Sequence, residues 1–164
     1  MIYDAKFANV WWPQPTAGDI TWCWTPWVSP PEPGPIKHPA LIYRVRKHPV
    51  YDGYEVWIAP GTSKKIEQLF PGDFLVGQAP TAATRLEVLA EETALKAAGL
   101  TKPTKFQLGA IVLLDYNSDF FSVPGWVQGV NTPKMGRLQV ENETLRIRLS
   151  RAKEAVGLTG KPTD

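Results

Sequence analysis

Proline is the residue that most limits how this chain can fold. Sixteen prolines occur among its 164 residues. Because proline fixes the backbone φ angle and has no N–H to donate, it is excluded from the interiors of long helices and central strands. The chain must therefore consist of short elements separated by many turns, which favours a small β-barrel.

Length and composition indicate one globular domain. The chain is long enough for one real core and too short for two, and its 43% hydrophobic and 21% charged residues are ordinary. The net charge of +2 does not by itself indicate nucleic acid. Cys23 is the single cysteine, so we expect a buried, inert thiol and a cytoplasmic, reducing compartment. We expect no signal peptide and no membrane span, since no apolar run approaches about 18 residues.

Alternating side chains predict several short strands. The first covers 18–24, and the runs 40–46 and 54–59 are predicted to pair antiparallel across an Asp52-Gly53 turn. Simple alternation puts Leu41, Tyr43 and Val45 on one face of the 40–46 strand. A short strand is expected at 74–76. The continuous apolar run 110–114 predicts a buried central strand.

Two helices are predicted as well. Thr84 and Glu87 have capping-box spacing at the start of a helical insertion over about 84–98, which Gly99 ends. The apolar face expected for this helix comprises Leu86, Leu89, Ala90, Thr93 and Ala97. A C-terminal helix is expected over about 142–156, with an apolar stripe of Leu145, Leu149, Ala152 and Val156.

The two ends of the chain are expected to lie outside the barrel domain of residues 18–157. Residues 1–17 form an aromatic N-terminal extension, and 158–164 form a frayed tail. Five of the seven tryptophans fall between Trp11 and Trp27. Such a large apolar surface is expected to plug the open end of a barrel or to form a dimer interface.

Polar groups converge at one end of the predicted hairpin. A stiff Pro/Gly loop, 30–39, precedes the 40–46 strand, and the hydroxyl-bearing turn 61–65 follows the 54–59 strand. This juxtaposition suits binding or cleavage of a phosphodiester. The surrounding cations are Lys37, His38, Arg44, Arg46, Lys47, His48, Lys64 and Lys65. The competing interpretation is a solvated sheet surface without a ligand.

Several short segments occur in an order and spacing that resemble a known family. They are Gly18-Asp19-Ile20, Pro33-Gly34-Pro35-Ile36-Lys37-His38-Pro39-Ala40-Leu41-Ile42, Gly61-Thr62-Ser63-Lys64-Lys65, Pro71-Gly72-Asp73-Phe74, Gly99-Leu100, Thr104-Lys105-Phe106 and Pro133-Lys134-Met135-Gly136-Arg137-Leu138. Together they resemble the PemK/MazF toxins of bacterial toxin–antitoxin systems, particularly the longer members found in phage-like genomes.

The resemblance implies a mainly β (α+β) fold: an SH3-like antiparallel barrel with a C-terminal helix and one inserted helix. It implies a growth-inhibiting, metal-independent endoribonuclease that acts on single-stranded RNA, forms a homodimer and is neutralised by a small acidic antitoxin. The catalytic arginine and threonine of the family correspond to His38 and Thr62, with Ser63 beside Thr62 as a further hydroxyl. Glu32 is nearest to a supporting glutamate.

Histidine in place of arginine leaves three interpretations open. His38 acts as a general base, or Lys37 supplies the lost charge while His38 moves the proton, or the protein no longer cleaves RNA. In the third case it binds a protein, as gyrase-poisoning toxins do. Lys64, Lys65 and Arg44 are the expected RNA-backbone contacts.

No cofactor or metal is expected. The chain has neither a GxxxxGK[ST] nor a GxGxxG phosphate motif, and neither of its two histidines has a zinc-like ligand pattern around it. Asp115 and Asp119 flank a short polar stretch that is more typical of a turn than of a metal loop.

Overall fold

A computed structural model describes residues 10–26 and 31–158. Trp27, most of the N-terminal extension and the expected tail from 159 onward lie outside these ranges. The elements in chain order are β1 (Asp19–Trp24), β2 (Lys37–Lys47), β3 (Tyr54–Thr62), β4 (Asp73–Val76), α1 (Arg85–Ala97), β5 (Thr104–Gln107), a 3-10 helix (Leu108–Ala110), β6 (Val112–Asp115), β7 (Lys134–Arg137) and α2 (Glu143–Ala155).

The strands form one curled, half-barrel sheet of antiparallel pairs. Its order is β4-β5-β3-β2-β1-β7, and β6 continues the edge of β3 beyond β5. Helix α1 contacts both outer strands, β4 and β7, and α2 packs against β4. The fold is therefore mainly β with two helices, as expected. Neither helix in the described part of the chain is long and apolar enough to cross a membrane.

The predicted hairpin is confirmed, but its side-chain pattern is not. Strands β2 and β3 pair antiparallel, with a register shift between Ile42 and Arg44. This bulge reverses the alternation, so Val45 packs in one core cluster with Ile42 while Tyr43 packs against the other. A bulge inserts one residue into a strand, so simple alternation fails beyond it. The expectation that Tyr43 and Val45 share a face is wrong.

Pro39 lies inside a strand that has neighbours on both sides. Its partner across the β1–β2 ladder is Trp22. The backbone N–H of Trp22 donates to the carbonyl of Pro133 at 2.9 Å, and its carbonyl accepts from the N–H of Ser122 at 3.0 Å. Because Trp22 makes its hydrogen bonds away from β2, the ladder needs no N–H from Pro39 at this position.

The apolar run 110–114 is not a central strand. Strand β6 begins at Val112, and in the described structure it pairs only with β3. Val112 and Leu113 are only half-buried. One side of β3 pairs with two short strands, with β6 along residues 55–58 and with β5 at residues 61–62. Strand β6 therefore lies at an edge of the sheet.

Helix α1 begins and ends as predicted. Thr84 and Glu87 form the capping box, with backbone-to-side-chain hydrogen bonds of 3.2 and 3.3 Å. At the other end Gly99 has φ +71° and its N–H donates to the carbonyl of Lys96, while the N–H of Leu100 donates to the carbonyl of Leu95. This is a Schellman motif, which turns the chain sharply away from the helix.

The predicted packing face of α1 is wrong. Leu86 is 79% exposed and Leu89 44% exposed, whereas Glu91 and Ala94 are buried. Glu91 faces inward because Arg148 of α2 donates to its Oε1 at 3.0 Å, with a second nitrogen 2.7 Å from its Oε2. A paired carboxylate can be buried where an unpaired one cannot. For α2, burial of Leu145 and Ala152 confirms the predicted stripe.

The described tryptophans of the N-terminal segment pack against their own chain. Trp12 donates its backbone N–H to the carbonyl of Tyr116 and its indole N–H to that of Phe121. Trp11 forms an isolated antiparallel β-bridge with Asn117. The ring of Trp11 lies so close to Gly53 that a Cβ added at Gly53 would overlap the ring. Trp11 and Trp12, the described tryptophans of the extension, therefore lie on the sheet.

We predict that Gly136→Ala destabilises the protein. A Cβ at Gly136 would overlap the backbone of Ala97 and Ala98, at the end of α1. Because backbone atoms cannot yield, unfolding free energy should fall by about 2–3 kcal/mol. Thermal and urea denaturation measure this, with Gly125→Ala as the matched control, since nothing lies within 4 Å of that site. Equal stability of the two variants would contradict the close packing.

Candidate functional site: a cationic, aromatic pocket

A pocket of about 330 Å³ opens where β2 begins and β3 ends. Six parts of the chain build it: β1, the hairpin ends, the segment between α1 and β5, the start of β5, the loop before β7, and β7. The lining residues are Trp22, Lys37, His38, Pro39, Ser63, Gly99, Leu100, Thr101, Lys102, Thr104, Trp126 and Met135. The convergence of the two hairpin ends expected from the sequence is thus present.

The pocket carries positive charge without a local counter-charge. Lys37 and Lys102 line it, and no Asp or Glu of the described structure is among the lining residues. A concave surface lined by one sign of charge concentrates ligands of the opposite sign. The site is therefore suited to an anionic ligand.

His38 is the histidine among the residues that line the pocket. It lies half-buried in β2, opposite Cys23 of β1. Burial lowers its pKa from the ordinary 6.5, and the nearby charge of Lys64 lowers it further. The imidazole is therefore neutral at pH 7 and able to accept a proton.

Lys37 is held in place from two directions. Its Nζ donates to the hydroxyl of Ser122 at 3.3 Å and lies 4.8 Å from the ring centroid of Trp24. A cation over an indole face is attracted by the ring. These contacts fix the position of the Lys37 ammonium group. Because consecutive residues of a strand direct their side chains to opposite faces, the charge found near the His38 imidazole is that of Lys64 instead.

The two hydroxyls after β3 occupy different positions. Ser63 lines the pocket, but Thr62 does not. The Oγ1 of Thr62 accepts a hydrogen bond from the N–H of Lys64 at 3.1 Å, which closes a short side-chain turn. Ser63 is therefore the hydroxyl of this pair that the pocket presents to a ligand.

Four other candidate residues, among them Lys64, lie outside the set that lines the pocket. Arg44 is six residues from His38 along β2, about 20 Å at the rise of a strand, and its guanidinium carbon lies 4.9 Å from the ring of Trp57. Glu32 and Lys65 are exposed, Glu32 in the loop before β2. Lys64 is exposed as well, and none of the four lines the pocket.

Sequence analysis missed two side chains of the pocket, Trp126 and Lys102. The centroids of Trp126 and Trp22 lie 4.7 Å apart with an interplanar angle of 87°. Trp126 remains 50% exposed. The available signal was a single tryptophan in a Pro124-Gly125-Trp126 turn, since a large exposed aromatic in a loop often marks a contact surface.

A second cluster lies at the opposite end of β2. One ligand atom each of His48, Glu55 and Asp115 lies within 4.8 Å of the others, a spacing that could hold a metal ion. However, Nδ1 of His48 accepts the N–H groups of Val50 and Tyr51, both at 3.1 Å. Nε2 must then carry the proton, and it lies 3.2 Å from Asp115. This protonation leaves the ring no lone pair for a metal.

Cys23 behaves as expected from the sequence. It is fully buried, and burial raises the pKa of its thiol to about 12. It is not a nucleophile at neutral pH.

The chain matches no model of a protein family and no curated protein.

We predict that His38 titrates below 6.5. Two-dimensional NMR of the two imidazoles, assigned with His38→Gln, measures the midpoint. Lys64→Ala should move the His38 midpoint upward, because it removes a like charge, but not past 6.5, because burial remains. Lys65→Ala is the matched control and should leave it unchanged. A wild-type midpoint at or above 6.5 would refute this description of the pocket.

Proposed function

We propose that this protein is a metal-independent endoribonuclease of the PemK/MazF type that cleaves single-stranded RNA in this pocket. The observation that carries the proposal is a neutral histidine, His38, near the charge of Lys64, in a cavity whose described lining includes Lys37, Lys102 and two tryptophans but no carboxylate. A proton acceptor next to positive charge meets the main requirement of phosphodiester cleavage by a neighbouring hydroxyl.

The proposed reaction uses side chains of the protein, the 2′-OH of the RNA and solvent water. His38 takes the proton of the 2′-OH, the resulting O2′ attacks phosphorus, and the bond from phosphorus to the 5′-oxygen breaks. An ammonium group, Lys37 or Lys102, protonates the departing oxygen and recovers its proton from His38 through water. Ser63 donates to a phosphoryl oxygen. The products are a 2′,3′-cyclic phosphate and a 5′-hydroxyl. DNA is not a substrate because it lacks the 2′-OH that attacks phosphorus.

The proposal extends to fold family and partners. An SH3-like barrel, a cytoplasmic location, a homodimer and a small acidic antitoxin all follow from the family resemblance. A half-barrel antiparallel sheet with a C-terminal helix supports it. The uncovered apolar side of α1, with Leu86 and Leu89, offers a surface for self-association.

A second candidate is a barrel that acts by binding a protein, without catalysis. Two positions favour it. The hydroxyl of Thr62 is engaged in its own turn, and Glu32 is exposed outside the pocket, although the resemblance assigns a catalytic role to Thr62 and a supporting role to Glu32. The two candidates differ in whether His38 reacts with RNA.

We predict cleavage of a long single-stranded RNA in EDTA, with cyclic-phosphate ends identified by mass spectrometry. The rate should rise with pH through a midpoint below 6.5, because only neutral His38 can act as base. His38→Ala should slow cleavage by about 10²- to 10⁴-fold. His38→Arg should abolish this pH dependence, because arginine keeps its charge throughout the range.

Two further variants sharpen this experiment. Ser63→Ala should lower the rate about tenfold or more, because it removes a donor to the phosphoryl oxygens, while Ser150→Ala on exposed α2 surface serves as its control. If wild type leaves RNA intact between pH 5 and 9, or His38→Ala cleaves as fast, catalysis at this site is refuted. Protein binding then becomes the better proposal.

We also predict a homodimer. Sedimentation at micromolar concentration should give twice the chain mass of 18.2 kDa. Leu86→Lys combined with Leu89→Lys should shift the protein to monomer, because charges would have to be buried in the interface. Val50→Lys is the matched control, since Val50 and Leu86 are 78% and 79% exposed. A monomeric wild type would remove self-association from the proposal.

A further inference from the structure

Both ends of the loop that carries Trp126 form backbone hydrogen bonds with one residue of β1. This tryptophan loop, residues 122–133, begins with Ser122, whose N–H donates to the carbonyl of Trp22 at 3.0 Å. It ends at Pro133, whose carbonyl accepts the N–H of Trp22 at 2.9 Å. Trp22 itself packs against the core. The loop therefore projects over the pocket from a fixed base.

The tip of the loop is held by the same residue. The rings of Trp22 and Trp126 meet edge to face, with centroids 4.7 Å apart. This contact orders the exposed indole before any ligand arrives, so less conformational entropy is lost on binding. Yet half of the Trp126 surface remains in water, an unusual position for so large an apolar ring. The Trp126 indole is thus fixed in orientation and still accessible to another planar group.

The surroundings of Trp126 identify the chemistry of that group. Lys37 and Lys102 line the same cavity, so a planar ligand on the indole would carry negative charge beside it. An unpaired nucleotide has both features: a base that stacks on aromatic rings, and a phosphate that attracts lysines. Bases in a duplex are stacked on each other and cannot reach such a ring.

We propose that Trp126 is the stacking platform for one unpaired nucleotide of the RNA, and that Trp22 is the residue that positions it. This inference rests on the proposed function for the identity of the ligand. Stacking is sequence-tolerant, because every base has a π-face. The platform thus selects single strands over duplexes and holds a nucleotide in the cavity that contains His38.

Binding is measured with a fluorescein-labelled RNA nonamer in which 2′-fluorine replaces every 2′-OH, so it cannot be cleaved. Fluorescence anisotropy gives the dissociation constant. Trp126→Ala should weaken binding about 10- to 100-fold, and Trp126→Phe, which keeps a ring, by about threefold or less. Tyr51→Ala removes another exposed aromatic at the far end of β2 and should bind as wild type. Thermal denaturation verifies that all variants are folded.

Abasic nonamers separate stacking from other effects. With wild type, removal of the one base that occupies the platform should weaken binding about tenfold. With Trp126→Ala the same removal should have no effect, since the two changes delete one interaction. Trp22→Leu keeps the backbone hydrogen bonds of the loop but loses the ring contact. It should reduce the abasic penalty, which a merely structural role would not alter.

The outcomes distinguish this inference from the proposed function. If Trp126→Ala binds the nonamer as tightly as wild type, or suffers the same abasic penalty, the platform is refuted even where RNA is cleaved. If the platform is demonstrated but wild type cleaves no RNA, the ribonuclease proposal fails and RNA binding stands. If wild type cleaves RNA but does not bind the nonamer, the platform is refuted and the ribonuclease proposal stands; if it does neither, both are refuted.

Discussion

The close approach of α1 to β7 is the constraint on which the pocket depends. Gly99 and Gly136 allow the backbone of the last helical turn to touch the strand, and a Cβ at either position would overlap backbone atoms. The Schellman turn then directs the chain back across the sheet, where Leu100 and Lys102 become one wall of the pocket. Met135 of β7 forms another part of the lining. A longer distance between helix and strand would separate these walls.

Features encoded by near neighbours in the chain were predictable. The Thr84–Glu87 capping box, the stop at Gly99 and the β2–β3 hairpin each depend on a few consecutive residues, and the structure contains all three. The side of α1 that packs was not predictable, because it is decided by Arg148, which lies 57 residues from Glu91. The bulge after Ile42 was missed for a related reason, since only the partner strand reveals it.

The residues of the candidate site also differ in how far the sequence predicts them. Lys37, His38 and Ser63 come from the two ends of one hairpin, so their proximity followed from the strand pairing. Lys102 and Trp126 lie in segments that are positioned by tertiary contacts. No periodicity in the sequence indicates that they belong to the pocket. The resemblance assigned Thr62 by its place in a motif, whereas orientation within the turn decides which hydroxyl reaches the cavity.

The burial of Cys23 gives the protein a practical property. A thiol with a pKa of about 12 and no exposed surface carries almost no thiolate at neutral pH, so alkylating reagents and maleimide dyes find nothing to modify. Any cysteine introduced on the surface would be the only reactive one, as the chain has no other. A single probe can therefore be attached at a cysteine introduced at the rim of the pocket, without first replacing Cys23.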